Sequence, residues 1–397
     1  MKKKVLILVS LFVFLVLLSL LLYIYFDNKL KDDNSKFSLI DDLSIEVYED
    51  VNVNHFIKDL DGKIVKNKKI NTNKIGNKKI SFIYLNSRGK KRRGTFSIKV
   101  VDLEKPLVWL SNKYNIKLGS KDNLLDSIMC ADNYDTNPSC EIKGFYDLNK
   151  KGTYPLTYVA KDKSGNESST DFILNVYEQS KNSKEVKESA INFSDVLKEH
   201  KTSNTEVGID VSKWQKNIDF KKVKDAGATF AMIRLGYQDG VNGKYILDKY
   251  FEENIKNANE NGIKVGVYFY SYADSKKEAK KQAKWVIENV KKYKIELPIA
   301  FDWECYTSFN KMNLSLFGLG EVADSFLDEV KKLGYKPMLY GSKNYLNSVW
   351  KYNNYDVWLA HYTNKTNYDG KYVMWQICDN GIIDGIEEKV DIDILYF

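Results

Sequence analysis

Two carboxylates follow directly on an apolar run in the segment PIAFDWECYTS, residues 298–308. Only Trp303 separates Asp302 from Glu304, so on an extended chain both acids project to one side and the tryptophan projects to the other. A strand that simply runs out into solvent would also end in polar residues. Two acids held side by side can instead divide proton donation and charge stabilisation between them, so the surrounding elements must decide between these interpretations.

The C-terminal half of the chain predicts strands that alternate with helices. Eight strand candidates run from VGID, which ends at Asp210, to VDIDILYF, which begins at Val390; the others begin at Phe230, Lys264, Leu297, Lys336, Asp356 and Tyr372. Helical periodicity fills the first four gaps, the short segment KNYLNSVW fills the fifth, and the last two gaps contain no helical pattern.

This alternation predicts the α/β class, because βα units imply parallel strands and eight strands imply a closed barrel. A parallel crossover needs about a dozen residues or more, which the final connections barely supply, so we expect that the last strands include an antiparallel one. The fold predicted for residues 206–397 is therefore an irregular (β/α)-barrel of five βα units plus three strands.

The predicted strand ends would bring four acids to one mouth. Asp210 ends the first strand, Asp302 and Glu304 end the fourth, and Asp391 begins the last, which reaches the same mouth if it is antiparallel. Carboxylates handle protons and positive charge in glycosidic-bond cleavage while aromatic rings stack on sugars, so the pattern indicates carbohydrate chemistry. Core packing is the alternative for each nearby aromatic residue: Trp214, Tyr270, Trp303, Tyr340, Trp358 and Trp375.

The composition excludes several other classes of protein. The net charge of +8 is spread along the chain, which suits anionic envelope polymers but does not indicate nucleic acid. The four cysteines form no CxxC motif and the three histidines form no HExxH motif, so we predict no metal site and no cofactor.

The first residues predict a membrane anchor over residues 1–27. Three lysines precede an apolar run from Val5 to Phe26, which as a helix would span roughly 33 Å, enough for a bilayer. The run exits through bulky residues rather than a small-residue cleavage site, which favours a retained anchor over a cleaved signal peptide. The lysines would remain cytoplasmic, placing the rest of the chain outside the cell membrane, facing the cell wall.

A repeated strand-rich module predicts two small β domains at residues 37–103 and 104–178. Segments that start at Asn71 and Asp147 align without a gap, matching Gly76 with Gly152 and Val100 with Val176. Short strands at this spacing are typical of a β-sandwich. Cys130 and Cys140 both lie in the second copy, and the sequence leaves open whether they are bonded. Residues 179–205 are polar and rich in Ser, Lys and Glu, which predicts a linker.

Two resemblances follow from these motifs. The segment GTYPLTYVAKDKSGN resembles bacterial immunoglobulin-like surface domains, which implies that the modules are spacers; the first copy lacks the AKD segment. GIDVSKWQ at 208–215, FDWE at 301–304, WLAHYT, MWQI and VDIDIL resemble the family 25 glycoside hydrolases, or muramidases. That resemblance covers about residues 205–397 and implies cleavage of the β-1,4 bond between N-acetylmuramic acid and N-acetylglucosamine in peptidoglycan.

The family 25 resemblance also implies roles for particular residues. Glu304 would be the general acid, with a pKa raised by burial or by a neighbouring carboxylate. Asp302 would stabilise positive charge or orient the substrate's N-acetyl group, and Asp210 and Asp391 would support the pair. Further glycan contacts are expected from Tyr270, Tyr340, Trp358 and Gln376. Asp393 departs from the family pattern, which often has Asn there, and makes it less clear which of the two late aspartates lines the cleft.

Three alternatives remain at this point. A catalytically silent wall-binding protein would use the same cleft, but it would not need to keep both Asp302 and Glu304. A chitinase would carry a longer acidic motif. A peptidase dyad of Cys305 and His361 has no evident third member. The leading hypothesis is a membrane-anchored muramidase whose partners are peptidoglycan strands and the membrane, with no role for nucleic acid.

Overall fold

The computed structural model describes residues 12–25, 36–109, 113–121, 123–178, 189–305, 309, 311–351 and 354–397. The chain divides into two compact units, Met1–Leu103 and Glu104–Phe397. Residues 12–25 are helical. No helix among the described residues is both long enough and apolar enough to span a membrane, and the other residues of the predicted anchor lie outside the described ranges.

The first unit contains a four-stranded sheet. Its long hairpin alternates inward and outward side chains, as expected when one face is buried. Strand β2 pairs parallel with β6, β6 pairs antiparallel with β5, and β5 pairs antiparallel with β4. The strands of this unit are β1 (Phe37–Leu39), β2 (Ser44–Glu46), β3 (Ile57–Leu60), β4 (Lys63–Ile64), β5 (Gly76–Leu85) and β6 (Lys91–Val101).

The second unit begins with a module of the same sheet topology. Strand β8 pairs parallel with β12, β12 pairs antiparallel with β11, and β11 pairs antiparallel with β10, so the aligned repeats fold into equivalent hairpins. Cys130 and Cys140 are joined by a disulfide, which answers the question that the sequence left open. The strands are β7 (Leu107–Trp109), β8 (Lys113–Lys117), β9 (Met129–Ala131), β10 (Ser139–Lys143), β11 (Gly152–Lys161) and β12 (Glu167–Tyr177).

An eight-stranded closed barrel forms the rest of the second unit. Seven strands are mutually parallel and the last, β22, runs antiparallel between β21 and β14, as the short final connections predict. The barrel strands are β14 (Thr205–Val211), β15 (Phe230–Gln238), β17 (Lys264–Tyr270), β18 (Ile299–Asp302), β19 (Pro337–Ser342), β20 (Val357–Ala360), β21 (Met374–Ile382) and β22 (Val390–Tyr396). Two short strands, β13 (Ile191–Asn192) and β16 (Tyr245–Leu247), flank β21 and β15.

Helices cover the outside of the barrel, and five of them fill the predicted gaps. Their apolar faces pack on the strands, so that Phe251, Val286 and Phe326 are buried in the barrel core. These five are α2 (Phe220–Asp225), α3 (Phe251–Glu260), α4 (Lys276–Val290), α5 (Leu316–Lys332) and α6 (Lys343–Ser348). An additional helix, α1 (Phe193–His200), precedes them.

Helix α1 corrects the prediction of a linker over residues 179–205. Phe193 and Val196 are buried in the barrel core, and Ile191 pairs with Gly381 on β21. Phe193 and Val196, with the partly buried Leu197 beside them, anchor this short amphipathic helix, although the surrounding composition is polar. The barrel therefore has packed structure before residue 206, while residues 179–188 lie outside the described ranges.

The module of residues 104–178 is packed against the barrel rather than held apart from it. Ala131 is fully buried within the barrel's core cluster. The backbone amide of Leu316, at the start of α5, donates to the carbonyl of Asp132 at 2.7 Å. Thr136 Oγ1 donates to Asn313 Oδ1 at 2.9 Å. The module therefore contacts the connection that leads from β18, with its terminal Asp302, to α5.

Candidate active site

Four acidic residues line one cavity of about 240 Å³ at the predicted mouth of the barrel. Asp302 is the last residue of β18, and Glu304 lies two residues beyond it. Asp210 near the end of β14 is paired in register with Asp391 near the start of β22, because β22 runs antiparallel. The cavity is lined by Asp210, Ser212, Trp214, Gln215, Arg234, Tyr268, Tyr270, Asp302, Glu304, Tyr340, Trp358, Gln376 and Asp391.

Gln376 holds the two acids of the β14–β22 pair together. Its side-chain nitrogen donates to Asp210 Oδ2 at 2.7 Å and to Asp391 Oδ2 at 3.0 Å. Its side-chain oxygen accepts hydrogen bonds from the hydroxyl groups of Tyr340 and Tyr362, at 2.9 and 3.1 Å. Because both ends of the amide are bonded, Gln376 has a fixed orientation and fixes the acids in turn. The sequence predicts a glycan contact at this position, whereas the structure shows a bridge between acids.

Asp302 and Glu304 form an adjacent pair whose pKa values are shifted by burial and by each other. Asp302 is almost completely buried, and this burial, together with Glu304 beside it, raises its pKa well above the usual range. Burial between the cleft walls also raises the pKa of Glu304, whereas a hydrogen bond donated by Asp302 lowers it. Glu304 nevertheless reaches solvent, so its part of the pair is open to a ligand. Because burial raises the pKa of both acids, the pair retains a proton at a higher pH than free carboxyl groups would.

The acids on β14 and β22 are also held away from their ionised forms. Burial and the nearby Asp393 raise the pKa of Asp210 well above the usual range. Burial and Asp210 raise the pKa of Asp391 to about 9. The acids of one enclosed site cannot all be ionised, because their negative charges repel each other. Some of the acids at the mouth therefore hold protons at neutral pH.

Asp393 lies behind the cavity rather than in it. Its side chain is fully buried and accepts a hydrogen bond from Trp358 Nε1 at 2.8 Å. The structure therefore answers the question that the sequence raised, because Asp391 lines the cleft and Asp393 supports it from within the barrel.

Arg234 is a cavity residue that the sequence reasoning missed. It lies on β15, and its guanidinium group binds Asp248 through Nε at 2.8 Å and through a terminal nitrogen at 2.7 Å. Its positive charge lowers the pKa of Asp302, opposing the effect of burial. A single arginine inside the apolar segment FAMIRLG is the signal that could have identified it, since an unpaired charge is costly on a barrel strand.

The aromatic residues at the mouth of the barrel differ in how much of each side chain is exposed to a ligand. Tyr270 and Tyr340 are half-buried and line the cavity, as predicted for glycan contacts. Trp358 also borders it, but it is only 1% exposed, so its main contacts are within the core. Trp303 is fully buried against Phe309 and Trp350, which confirms packing. Trp214, in contrast, is 66% exposed at the rim.

Cys305 does not have the properties of a nucleophile. Its thiol is buried and donates to the carbonyl of Ser271 at 3.2 Å, and burial raises its pKa, which disfavours the reactive thiolate. His361 Nδ1 is bonded instead to Thr366 Oγ1 at 2.9 Å. The arrangement gives no support to a dyad of Cys305 and His361.

Comparison with known proteins agrees with this site. The model of the family "Glycosyl hydrolases family 25" matches residues 209–386. The uncharacterized protein YegX of Escherichia coli K12 is 30% identical over 192 residues, which are 47% of this chain and 68% of YegX. The autolytic lysozyme of Clostridium acetobutylicum is 25% identical over 191 residues, 47% of this chain and 54% of that protein.

Among solved structures, a family 25 glycosyl hydrolase from Bacillus anthracis shares 26% identity with a TM-score of 0.43, covering 50% of this chain and 92% of that chain. The match to the family model spans both Asp302 and Glu304, and the relationship to YegX extends over two thirds of that protein. The chain therefore belongs to glycosyl hydrolase family 25 and is a glycoside hydrolase.

Proposed function

We propose that this protein is a peptidoglycan lysozyme that cleaves the β-1,4 bond between N-acetylmuramic acid and N-acetylglucosamine. The observation that carries the proposal is the pair at the end of β18: Asp302 and Glu304 lie side by side with raised pKa values, and Glu304 reaches solvent in the same cavity. A carboxylic acid that keeps its proton in a cleft lined with aromatic residues is the requirement for glycosidic-bond cleavage. The similarity to an autolytic lysozyme supports a wall glycan as the substrate.

In this mechanism the proton of the pair passes to Glu304, which donates it to the oxygen of the glycosidic bond, and Asp302 is then a carboxylate. The bond between the anomeric carbon and that oxygen then breaks, and positive charge develops on the sugar ring. Asp302 stabilises this charge or orients the acetamido group of the substrate towards it. Water then adds to the anomeric carbon, and the proton that it releases returns to the Asp302–Glu304 pair.

The remaining cavity residues hold the sugar and the pair in position. Gln376 keeps Asp210 and Asp391 in fixed orientations on the side of the cavity formed by β14 and β22. Tyr270 and Tyr340 offer rings and hydroxyl groups to the glycan, and Trp214 offers an exposed ring at the rim. In these assignments Glu304 acts on the bond that breaks, Asp302 on the developing charge, and Asp210 and Asp391 together support the pair.

The chemical test is to incubate purified peptidoglycan with the full chain and with its Glu304→Gln variant. Mass spectrometry after borohydride reduction identifies the sugar at each new reducing end. Reduced N-acetylmuramic acid ends from the native protein, and their loss in the variant, would support the proposal. N-acetylglucosamine ends would indicate a glucosaminidase instead, and retained binding without any cleavage would favour a wall-binding protein.

We further propose that the chain is anchored in the cell membrane and faces the wall. The apolar run from Val5 to Phe26, with Lys2, Lys3 and Lys4 before it, supports this orientation. The repeated β modules, which we propose to be immunoglobulin-like, follow this anchor in the chain and precede the barrel. Deleting residues 1–27 should release the protein from the membrane fraction of expressing cells, whereas release of the intact chain into the medium would contradict the anchor.

A further inference from the structure

A second cavity, of about 310 Å³, adjoins the four-acid cavity and shares Glu304 and Tyr340 with it. It lies over β19, α6 and the end of β20, and its walls include Trp303, Lys343, His361 and Tyr362. The hydroxyl groups of Tyr340 and Tyr362 both bond to Gln376, so these rings have fixed positions beside it. Glu304 therefore has an open space on either side, and a chain of sugars bound across it would occupy both.

The two cavities differ in charge. The first contains Asp210, Asp302 and Asp391 besides Glu304, with Arg234 as its cation, whereas among the described residues that line the second, Glu304 is the one acid and Lys343 the cation. Among the residues that the structure describes, Lys343 forms no salt bridge, and its ammonium group donates to the side-chain oxygen of Asn367. A neutral partner orients the ammonium group without cancelling its charge.

His361 adds little positive charge to the second cavity. Burial and the nearby Lys343 both lower the pKa of His361, so the imidazole is neutral near pH 7. Its Nδ1 is already bonded to Thr366. The charge that a ligand would meet in the second cavity is therefore that of Lys343.

We propose that Lys343 binds a carboxylate of the substrate in the second cavity while the four-acid cavity holds the sugar whose bond is broken. This inference rests on the proposed function, because peptidoglycan carries free carboxylates on its attached peptides, and on the lactyl group of muramic acid wherever the peptide has been removed. A neutral polymer of N-acetylglucosamine has none. Lys343 would thus be a specificity-determining residue that favours wall glycan over chitin-like glycan.

The test compares Lys343→Gln and Lys343→Arg with a matched control, Lys280→Gln, which removes the same charge from an exposed position on α4. Each full-length protein is assayed on three polymers: intact peptidoglycan, glycan whose peptides have been removed by an amidase, and peptidoglycan whose carboxyl groups have been converted to methylamides. The values of kcat and KM are determined separately. Binding is measured by pelleting each polymer with the same variants in a Glu304→Gln background.

The expected result is about a tenfold rise in KM for Lys343→Gln on a carboxylate-bearing polymer, equivalent to one lost charge-assisted contact. Lys343→Arg should recover most of this loss, Lys280→Gln should show none, and the loss should vanish on the methylamide polymer. A loss confined to intact peptidoglycan assigns the carboxylate to the peptide. A loss on the amidase-treated glycan assigns it to the lactyl group.

Two results would overturn the inference: equal KM values for Lys343→Gln and the native protein on both charged polymers, or an equal loss on the methylamide polymer. A failure of the proposed function would be distinct, because the native protein would then release no reducing ends. Even in that case the pelleting measurement with the Glu304→Gln background decides whether Lys343 recognises carboxylates.

Discussion

Trp358 donates a hydrogen bond from its indole nitrogen to Asp393 at 2.8 Å, and both side chains are buried inside the barrel. Asp393 is next to Asp210 and Asp391, so this bond fixes the position of a carboxyl group directly behind the acids that line the cavity. Burial raises the pKa of Asp393 well above its usual range, and the indole donor acts in the opposite direction. Ionising Asp393 in the core therefore lowers the free energy of unfolding, and this loss depends on pH.

We predict that Asp393→Asn stabilises the protein at neutral and higher pH while preserving activity. The folded state holds the Asp393 proton more tightly than the unfolded state, so the stability contributed by that proton is complete below pH about 4 and is lost as pH rises. Asparagine keeps an oxygen for Trp358 and does not ionise. Urea unfolding at several pH values should show an advantage of the variant that grows with pH; an advantage that is constant or shrinks would contradict this account.

The overall architecture could be predicted from the sequence because strand and helix periods alternate clearly from residue 206 onwards. The position of the four acids at one mouth followed from the order of the strands and from the antiparallel last strand. Gln376 as a bridge, and Arg234 paired with Asp248, could not be predicted, because each depends on which side chains meet across the closed barrel. Helix α1 was missed because it is short and its few apolar residues stand in a polar, charged segment.

A second prediction concerns Gln376, whose amide bridges Asp210 and Asp391. Gln376→Glu removes both donated hydrogen bonds and adds a carboxyl group among buried acids, so we expect a loss of about 2–4 kcal/mol in the free energy of unfolding at pH 7. The buried carboxyl would have a raised pKa, so the loss should shrink as pH falls. Gln376→Met removes the bonds without adding a charge and should lose stability with a weaker pH dependence. Equal pH dependence of the two variants would argue against a bridge between acids.

A third prediction concerns the contact between the module of residues 104–178 and the barrel. Ala131→Glu would place a charge in the barrel core, which should cost about 3 kcal/mol or more and lower the thermal midpoint of the barrel. Ala131→Ser serves as the small polar control and should cost much less. Barrel unfolding can be followed by hydrogen exchange at β14 and β17. Unchanged barrel protection in Ala131→Glu would mean that the module does not pack on the barrel as described.

A fourth prediction follows from the pKa of the Asp302–Glu304 pair. A general acid works only while it is protonated, so activity should fall as pH rises through the pKa of the pair. Burial raises the pKa of both acids, so this fall should occur well above pH about 4.3, the ordinary pKa of a glutamate. Initial rates from pH 3 to 9 would test it. A decline that is already complete near pH 5 would show that the pair does not retain its proton.

The most direct test of the central claim is the initial rate at which new N-acetylmuramic acid reducing ends appear when the full chain acts on purified peptidoglycan. The account predicts release by the native protein and a rate at least about a hundredfold lower for Glu304→Gln, with both proteins equally folded by circular dichroism. Equal release by the two proteins, or no release by the native protein, would contradict the assignment of Glu304 as the acid that cleaves wall glycan.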